Sequence, residues 1–216
     1  MISAFMEQED FIDAGPLAQF AIFASTSTIT NTGLTTFSPD NTVGVGAAVG
    51  AITGFTPGTY TAYPASPTTV DIANYLVAYN AELRALTATN TTHPAAFVDL
   101  EVVPPGIYQI PAAITFAGTV SFDGQGDSNS VIVIRAVGAG SMGAAVNMVL
   151  INNMLASNVY ILVDGAWSAG ATASGIGTII ARDGAIALGA AASHTGRLYA
   201  MTAAITTAGN ALTLSY

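Results

Sequence analysis

Two carboxylates recur at a fixed spacing in the second half of the chain. Asp164-Gly165 is followed nineteen residues later by Asp183-Gly184. If these segments stack, the carboxylates form a like-charge pair that could share a calcium ion or act on an acidic polysaccharide, as in some β-helix enzymes. Asp-Gly is also a common turn dipeptide. We interpret both aspartates as turn residues. A second stretch, with Asp123, Asp127 and Asn129, also suggests a calcium site, and we interpret these residues as parts of a turn too.

Other residue types that support catalysis are scarce or isolated. His93 precedes Pro94 in a polar stretch and His194 lies between Ser193 and Thr195, so neither has a second histidine at ligand spacing, and both are predicted to be exposed loop residues. The chain has no cysteine, no lysine and no Gly-X-Ser-X-Gly motif. The sequence therefore predicts a protein that is not an enzyme and has no metal site and no cofactor.

The composition limits the classes of partner. Thirteen acidic residues against four basic ones give a formal net charge of -9, so a nucleic-acid backbone would be repelled. Only 8% of the residues are charged and 51% are hydrophobic, which favours one folded unit with an unusually uncharged surface. The most apolar stretch, Ala144 to Val163, contains four asparagines, and we interpret it as buried strands rather than a membrane span.

The elements that must position these residues are indicated by a repeat of nineteen residues. The segments 160–171 (YILVDGAWSAGA), 179–190 (IIARDGAIALGA) and 198–209 (LYAMTAAITTAG) align without gaps. A repeat of this length is typical of a coiled β-solenoid. The alignment places Trp167, Ile186 and Ile205 together as inward residues, and it places Ser168, Ala187 and Thr206 beside them as an outward column.

Two further side-chain assignments follow from this alignment. Trp167 would be a sugar-stacking platform if it faced outward, but its alignment with two isoleucines favours the core. Arg135 and Arg182 follow apolar strand patterns, so we expect them at the corners of coils, paired with nearby acids. Both assignments are structural rather than catalytic.

One segment of the chain is typical of an α-helix. From Val70 to Leu86 the apolar residues fall every three or four positions, which predicts a helix over about residues 70–87 with Thr68 or Thr69 as its N-cap. Short strand patterns occupy the rest, including a first strand through Phe20 and Thr30 that a turn at 31–33 ends. We predict a single domain over residues 17–216, preceded by an N-terminal arm over residues 1–16.

The order of several short motifs resembles the bacterial and fungal ice-binding protein family. The resemblance extends from about Leu17 to Leu214 and rests on these pieces in order: Phe20-Ala21-Ile22-Phe23, Asn31-Thr32-Gly33, Ile52-Thr53-Gly54-Phe55, Pro105-Gly106-Ile107-Tyr108, Thr119 to Asp127, Val131 to Ile134, Asn158-Val159-Tyr160, Gly196-Arg197-Leu198 and Ala204-Ile205-Thr206.

This resemblance implies a mainly β protein, a discontinuous right-handed β-helix of triangular cross-section with one long helix packed along its side. It also implies a partner, the surface of an ice crystal, that binds a regular outer face. The expected ice-binding face comprises Thr28, Thr30, Thr53, Ser168, Ala187 and Thr206. Family members are usually exported, which implies an extracellular or surface location, although residues 1–15 lack the basic and apolar regions of a secretory signal.

An alternative is a structural or adhesive surface protein, such as a subunit of a virion, filament or cell-surface layer. The low charge and the positive mean hydropathy of +0.56 favour it. The acidic arm from Met1 to Asp13, which carries Phe5 and Phe11, would then mediate self-assembly. The two hypotheses differ in one respect, because ice binding needs the outward column to be exposed and assembly needs it to be buried between subunits.

Overall fold

The computed structural model describes residues 14–39 and 43–214, and within them the chain winds into a β-solenoid whose strands all pair in parallel. Residues 1–13, which make up most of the predicted arm, lie outside the described residues, so the arm, its role in self-assembly and the division into arm and domain stay predictions. One side of the solenoid is an eight-stranded sheet, sheet 1. Its spatial order is β5 (Ile52–Thr53), β2 (Ile29–Thr32), β20 (Ile205–Ala208), β18 (Ile186–Leu188), β16 (Trp167–Ala169), β13 (Gly140–Met142), β10 (Ile114–Phe116) and β7 (Ala96–Phe97).

The other two sides belong to one larger sheet, sheet 2, that folds over a corner. Two long strands, β17 (Ser174–Ala181) and β19 (Ser193–Ala200), run along both sides. They bend at Gly177 and Gly196, whose φ angles of 96° and 136° favour glycine. The strands of sheet 2 are β1 (Phe20–Ala24), β3 (Thr36–Ser38), β4 (Gly44–Ala47), β6 (Thr61–Tyr63), β8 (Glu101–Val103), β9 (Gly106–Ile110), β11 (Thr119–Asp123), β12 (Ile132–Ala136), β14 (Asn147–Ile151), β15 (Val159–Val163), β17 (Ser174–Ala181), β19 (Ser193–Ala200) and β21 (Ala211–Thr213).

The order of the coils in space differs from their order in the sequence. The C-terminal strands β20 and β21 pair with β2 and β3 from the N-terminal part, and β1 pairs with β19. The strands from β1 to β6 therefore extend the stack beyond the last C-terminal coil, and the opposite end is formed by β7, β8 and β9. This arrangement confirms the expected discontinuous β-solenoid.

A long helix, α1 (Pro67–Ala85), connects the two ends of the stack. It begins three residues earlier than predicted, and Ser66 rather than Thr68 or Thr69 is its N-cap, because Ser66 and Thr69 form a reciprocal capping box. Its nineteen residues extend for about 28 Å at 1.5 Å per residue. The predicted apolar stripe is confirmed, since Ile72, Leu76, Tyr79 and Leu83 are buried.

The helix covers one side of the solenoid and buries the strands beneath it on both faces. In β15, Val159, Ile161 and Val163 pack inside the solenoid, whereas Tyr160 and Leu162 pack against α1. A strand that is buried on both faces has a continuous apolar sequence, which accounts for the apolar residues at the end of the stretch from Ala144 to Val163. Among the described residues, no helix is long and apolar enough to cross a membrane.

The predicted position of Arg135 was wrong. It was expected at a corner beside an acid, but it lies within β12, is 5% exposed, and points toward the end of α1. Its guanidinium donates to the carbonyl oxygens of Arg84 and Leu86 at 2.5 and 2.8 Å. These carbonyls end the helix and have no partner within it, so Arg135 takes the place of a C-terminal cap.

Candidate functional site

The outward face of sheet 1 presents one continuous column of small residues in the middle of its eight strands. The register of neighbouring strands aligns Thr53 with Thr30, Thr30 with Thr206, Thr206 with Ala187, and Ala187 with Ser168. The column then continues through Ser141, Thr115 and Ala96. Five of the six predicted face residues therefore lie in this middle column, and each is exposed or half-buried.

Thr28, the sixth predicted residue, lies beside the column and directly before β2. It is exposed, its neighbour Ile29 is fully buried, and its carbonyl oxygen accepts from the N–H of Ile205. The same bonding pattern places it in a second outward column whose other members are alanines: Ala51, Ala204, Ala185, Ala166 and Ala139.

A third outward column contains residues that the sequence pattern did not indicate. Thr32 aligns with Ala208, and the column continues through Gly189, Gly170 and Gly143. Thr32 was assigned to a turn, but it belongs to β2, and the turn follows at Gly33 with a φ of 83°. Thr115 and Ser141 were also missed, because the loops of their coils differ in length from those of the nineteen-residue repeat, although the alternation around each gives the same outward signal.

The three columns share a chemical character. They contain only Thr, Ser, Ala and Gly between β5 and β10, and no charged side chain. Within the described residues, the hydroxyls of Thr30, Thr53 and Thr206 make no side-chain hydrogen bond and are open to solvent. A β-branched side chain on a strand has few χ1 rotamers, so these methyl and hydroxyl groups are held in place.

A buried polar network lies under the threonine-rich end of this face. Asn31 is 5% exposed and its amide donates to the carbonyl oxygens of Gly33 and Gly54 at 2.8 and 2.9 Å. Its Oδ1 accepts from the hydroxyls of Thr35 and Thr207 at 2.6 and 2.8 Å. One side chain therefore joins β20, β2 and the segment after β5, which fixes three adjacent strands relative to one another.

The inward column under the face is apolar, as predicted. Trp167, Ile186 and Ile205 are in register and at most 1% exposed, so Trp167 is a core residue. Gly140 occupies the same column beside the indole, and a Cβ there would lie 2.4 Å from Cε3 of Trp167. The glycine therefore provides the space that the indole needs.

Arginines neutralise the two recurring aspartates. Asp164 and Asp183 lie on neighbouring coils, as the repeat predicted, and both contact Arg182, at 3.3 and 2.8 Å. Arg84 of α1 contacts Asp164 at 2.8 Å. The expected pairing of Arg182 with acids is confirmed. The guanidinium groups of Arg182 and Arg84 occupy the positions beside the carboxylates that a shared calcium ion would take.

Asp123, Asp127 and Asn129, the other residues considered as a calcium site, take part in turns. Oδ1 of Asp123 accepts from the N–H of Gln125 and from the amide of Asn152, and Oδ1 of Asp127 accepts from the N–H of Asn129. Across the described part of the chain, no group of three or more histidine, aspartate or glutamate side chains could hold a metal ion.

The prediction that both histidines are exposed was wrong. His194 lies in β19, is 3% exposed and bonds to the carbonyl oxygen of Gly177 through Nε2 at 2.8 Å, and burial lowers its pKa to about 4. The ring of His93 stacks on Phe97 at 4.4 Å and its Nε2 lies 2.7 Å from Oε1 of Glu101. His93 thus covers the aromatic core at the β7 end of the solenoid.

Three comparisons place this arrangement among known proteins. The ice-binding-like family model matches residues 23–213. An ice binding protein from an Antarctic bacterium of the Flavobacteriaceae is 29% identical with a TM-score of 0.89; the match covers 94% of this chain and 47% of that one, so the chain spans about half its length. An ice binding protein from an Antarctic biological consortium is 27% identical with a TM-score of 0.82, over 95% of this chain and 91% of that one.

A more distant structure shows the same fold. The ice-binding protein 1 domain of Shewanella frigidimarina is 24% identical with a TM-score of 0.79, over 94% of this chain and 97% of that one. No curated protein matches the sequence. The alternative of a structural or adhesive subunit gains no support from these comparisons. The family model covers most of the chain, and the solved neighbours share its fold, so the chain belongs to the ice-binding-like family.

Proposed function

We propose that this protein adsorbs to ice through the outward face of sheet 1, without a chemical step. The face comprises the predicted residues Thr28, Thr30, Thr53, Ser168, Ala187 and Thr206, together with Thr32, Thr115 and Ser141. The observation that carries the proposal is the eight-strand column of small, uncharged residues in parallel register. The ice binding proteins that the chain resembles support ice as the ligand.

The geometry of a parallel sheet suits a crystalline ligand. Neighbouring strands lie about 4.8 Å apart and residues two apart on a strand lie roughly 6.6 Å apart on the same side. The outward columns therefore form a two-dimensional grid of methyl and hydroxyl groups. A crystal surface repeats in two directions, so a regular grid can order the intervening water over several positions at once.

The side-chain types reduce the cost of adsorption. Ala and Gly lose no side-chain entropy when they are immobilised, whereas a Lys or Glu loses about 1.5–2 kcal/mol. No outward position between β5 and β10 holds a charged residue, and the ion pairs of Asp164, Asp183 and Arg182 lie outside the columns, before the strands of sheet 1. The face therefore needs little rearrangement on contact with ice.

The experiment is thermal hysteresis with observation of crystal shape. The substitutions Thr53→Tyr and Thr206→Tyr add bulk to the face without entering the core, and Ser121→Tyr adds the same bulk to sheet 2, where Ser121 is half-buried between two buried residues. We expect faceted crystals with the wild type and with Ser121→Tyr, and weaker shaping with the two face variants. Round, unshaped crystals from folded wild-type protein would refute the proposal.

A further inference from the structure

The hydroxyl-bearing residues are distributed unevenly over the outward face of sheet 1. Four threonines lie on three adjacent strands, β5, β2 and β20, and a fifth directly precedes β2: Thr53, Thr30, Thr32, Thr206 and Thr28. The next three strands, β18, β16 and β13, carry no outward threonine and only two outward serines, Ser168 and Ser141. The single threonine at the far end, Thr115, is separated from the others by these three strands.

The five threonines form a cross centred on Thr30. Thr53 and Thr206 are its partners on the two neighbouring strands. Thr28, directly before β2, and Thr32, at the end of β2, lie two residues before and after it along the chain. The arms follow the two repeat directions of the sheet, at about 4.8 Å and roughly 6.6 Å. Thr30 is therefore the one residue with threonine neighbours in both directions.

The support beneath this cross is also different from the support elsewhere in sheet 1. The side chain of Asn31 lies directly under it and bonds to groups of three adjacent segments. Asn210 bonds through its amide to the carbonyl oxygens of Gly189 and Ala192, and its Oδ1 accepts from the N–H of Ala208, so this second side chain joins the end of β20 to the segment after β18. Among the described residues, the inward side chains of β13, β16 and β18 are apolar and contribute no such cross-links. Positions that are fixed before binding lose less entropy on binding.

We propose that the threonine cross, defined as Thr28, Thr30, Thr32, Thr53 and Thr206, is the anchoring part of the ice-binding face. The Ser, Ala and Gly strands β13, β16 and β18 are complementary in shape but contribute little affinity. This inference rests on the proposed function and deepens it, because it says which third of the face holds ice. It follows the general behaviour of interfaces, in which a few rigid residues carry most of the binding energy.

The test compares matched substitutions at the two parts of the face. Thr30 and Ser141 are both half-buried residues of the middle column, on strands β2 and β13. Thermal hysteresis and uptake into slowly growing ice would be measured for Thr30→Tyr and Ser141→Tyr. We expect a loss of about thirtyfold or more for Thr30→Tyr, which is the size of a hot-spot effect, and less than a twofold loss for Ser141→Tyr.

A second pair of variants guards against misfolding. Thr30→Val replaces the hydroxyl by a methyl group of similar size, and Ser141→Ala removes the hydroxyl on the other part. We expect a several-fold loss for Thr30→Val and a smaller loss, below about twofold, for Ser141→Ala, with the fluorescence of the buried Trp167 unchanged in both. Equal losses at the two positions, or a larger loss at Ser141, would overturn the inference and leave ice adsorption standing. A wild type that neither shapes nor enters ice would overturn both.

Discussion

Replacement of Asn31 by leucine should destabilise the protein far more than a change of one side chain at the surface. Leucine has a similar size and cannot hydrogen bond, so the hydroxyl of Thr207 loses the partner it has at 2.8 Å, and that of Thr35 loses its acceptor at 2.6 Å. Both threonines are 2% exposed, whereas Gly33 and Gly54, which also lose a donor, are exposed and can bind water. Two buried donors without acceptors, at about 1–3 kcal/mol each, give an expected loss of about 2–6 kcal/mol.

The assay is guanidinium unfolding followed by the fluorescence of Trp167, the only tryptophan, which is 1% exposed in the core. The matched control is Thr207→Val, which removes one donor and leaves Asn31 bonded to Thr35, so we expect a loss of about 1 kcal/mol. In the double variant Asn31→Leu/Thr207→Val, no Thr207 hydroxyl remains without an acceptor. Its loss of stability should therefore be smaller than the sum of the two single losses by about 1–3 kcal/mol. Strict additivity, or a loss below about 0.5 kcal/mol for Asn31→Leu, would refute this reasoning.

Three further predictions concern the core and the helix. Burial lowers the pKa of His194 to about 4 from its usual 6.5, so the folded state binds fewer protons than the unfolded state. The free energy of unfolding should therefore fall by roughly 3 kcal/mol between pH 6.5 and pH 4. The unfolding midpoints of His194→Gln should vary less over this range than those of the wild type. Arg135→Met should lower the stability by about 1–3 kcal/mol in thermal unfolding, because it leaves the carbonyl oxygens of Arg84 and Leu86 without a donor, and an unchanged midpoint would contradict the capping role. Gly140→Ala should lower the unfolding midpoint by overpacking against Trp167, at about 1–3 kcal/mol, while Gly143→Ala, whose Cβ would lie 3.5 Å from Val146, should be close to neutral.

Much of the fold could be predicted from local patterns. The nineteen-residue repeat gives the register of β16, β18 and β20, and the structure confirms that Trp167, Ile186 and Ile205 share one inward column. The spacing of Ile72, Leu76, Tyr79 and Leu83 identifies the buried face of α1. Both patterns work because burial repeats with a fixed period along a strand or a helix.

Other features depend on contacts between distant segments and could not be read locally. The pairing of β2 with β20 brings Thr30 beside Thr206, which are far apart in the sequence, and only this pairing completes the threonine cross. His194 was predicted to be exposed from its polar neighbours, but the inward side of β19 buries it. Arg135 was expected beside an acid, yet the end of α1 supplies its acceptors. In each case a tertiary contact overrides what the neighbouring residues indicate.

The most direct test of ice adsorption is the partition of the protein into ice that grows slowly from solution. Wild-type protein and Thr206→Tyr, both labelled at a single introduced cysteine outside sheet 1, would be compared at equal concentration, which the absence of native cysteine makes straightforward. The proposed function predicts that the ice takes up the wild type and largely excludes Thr206→Tyr. Exclusion of the folded wild type from the ice, or equal uptake of both proteins, would contradict adsorption through this face.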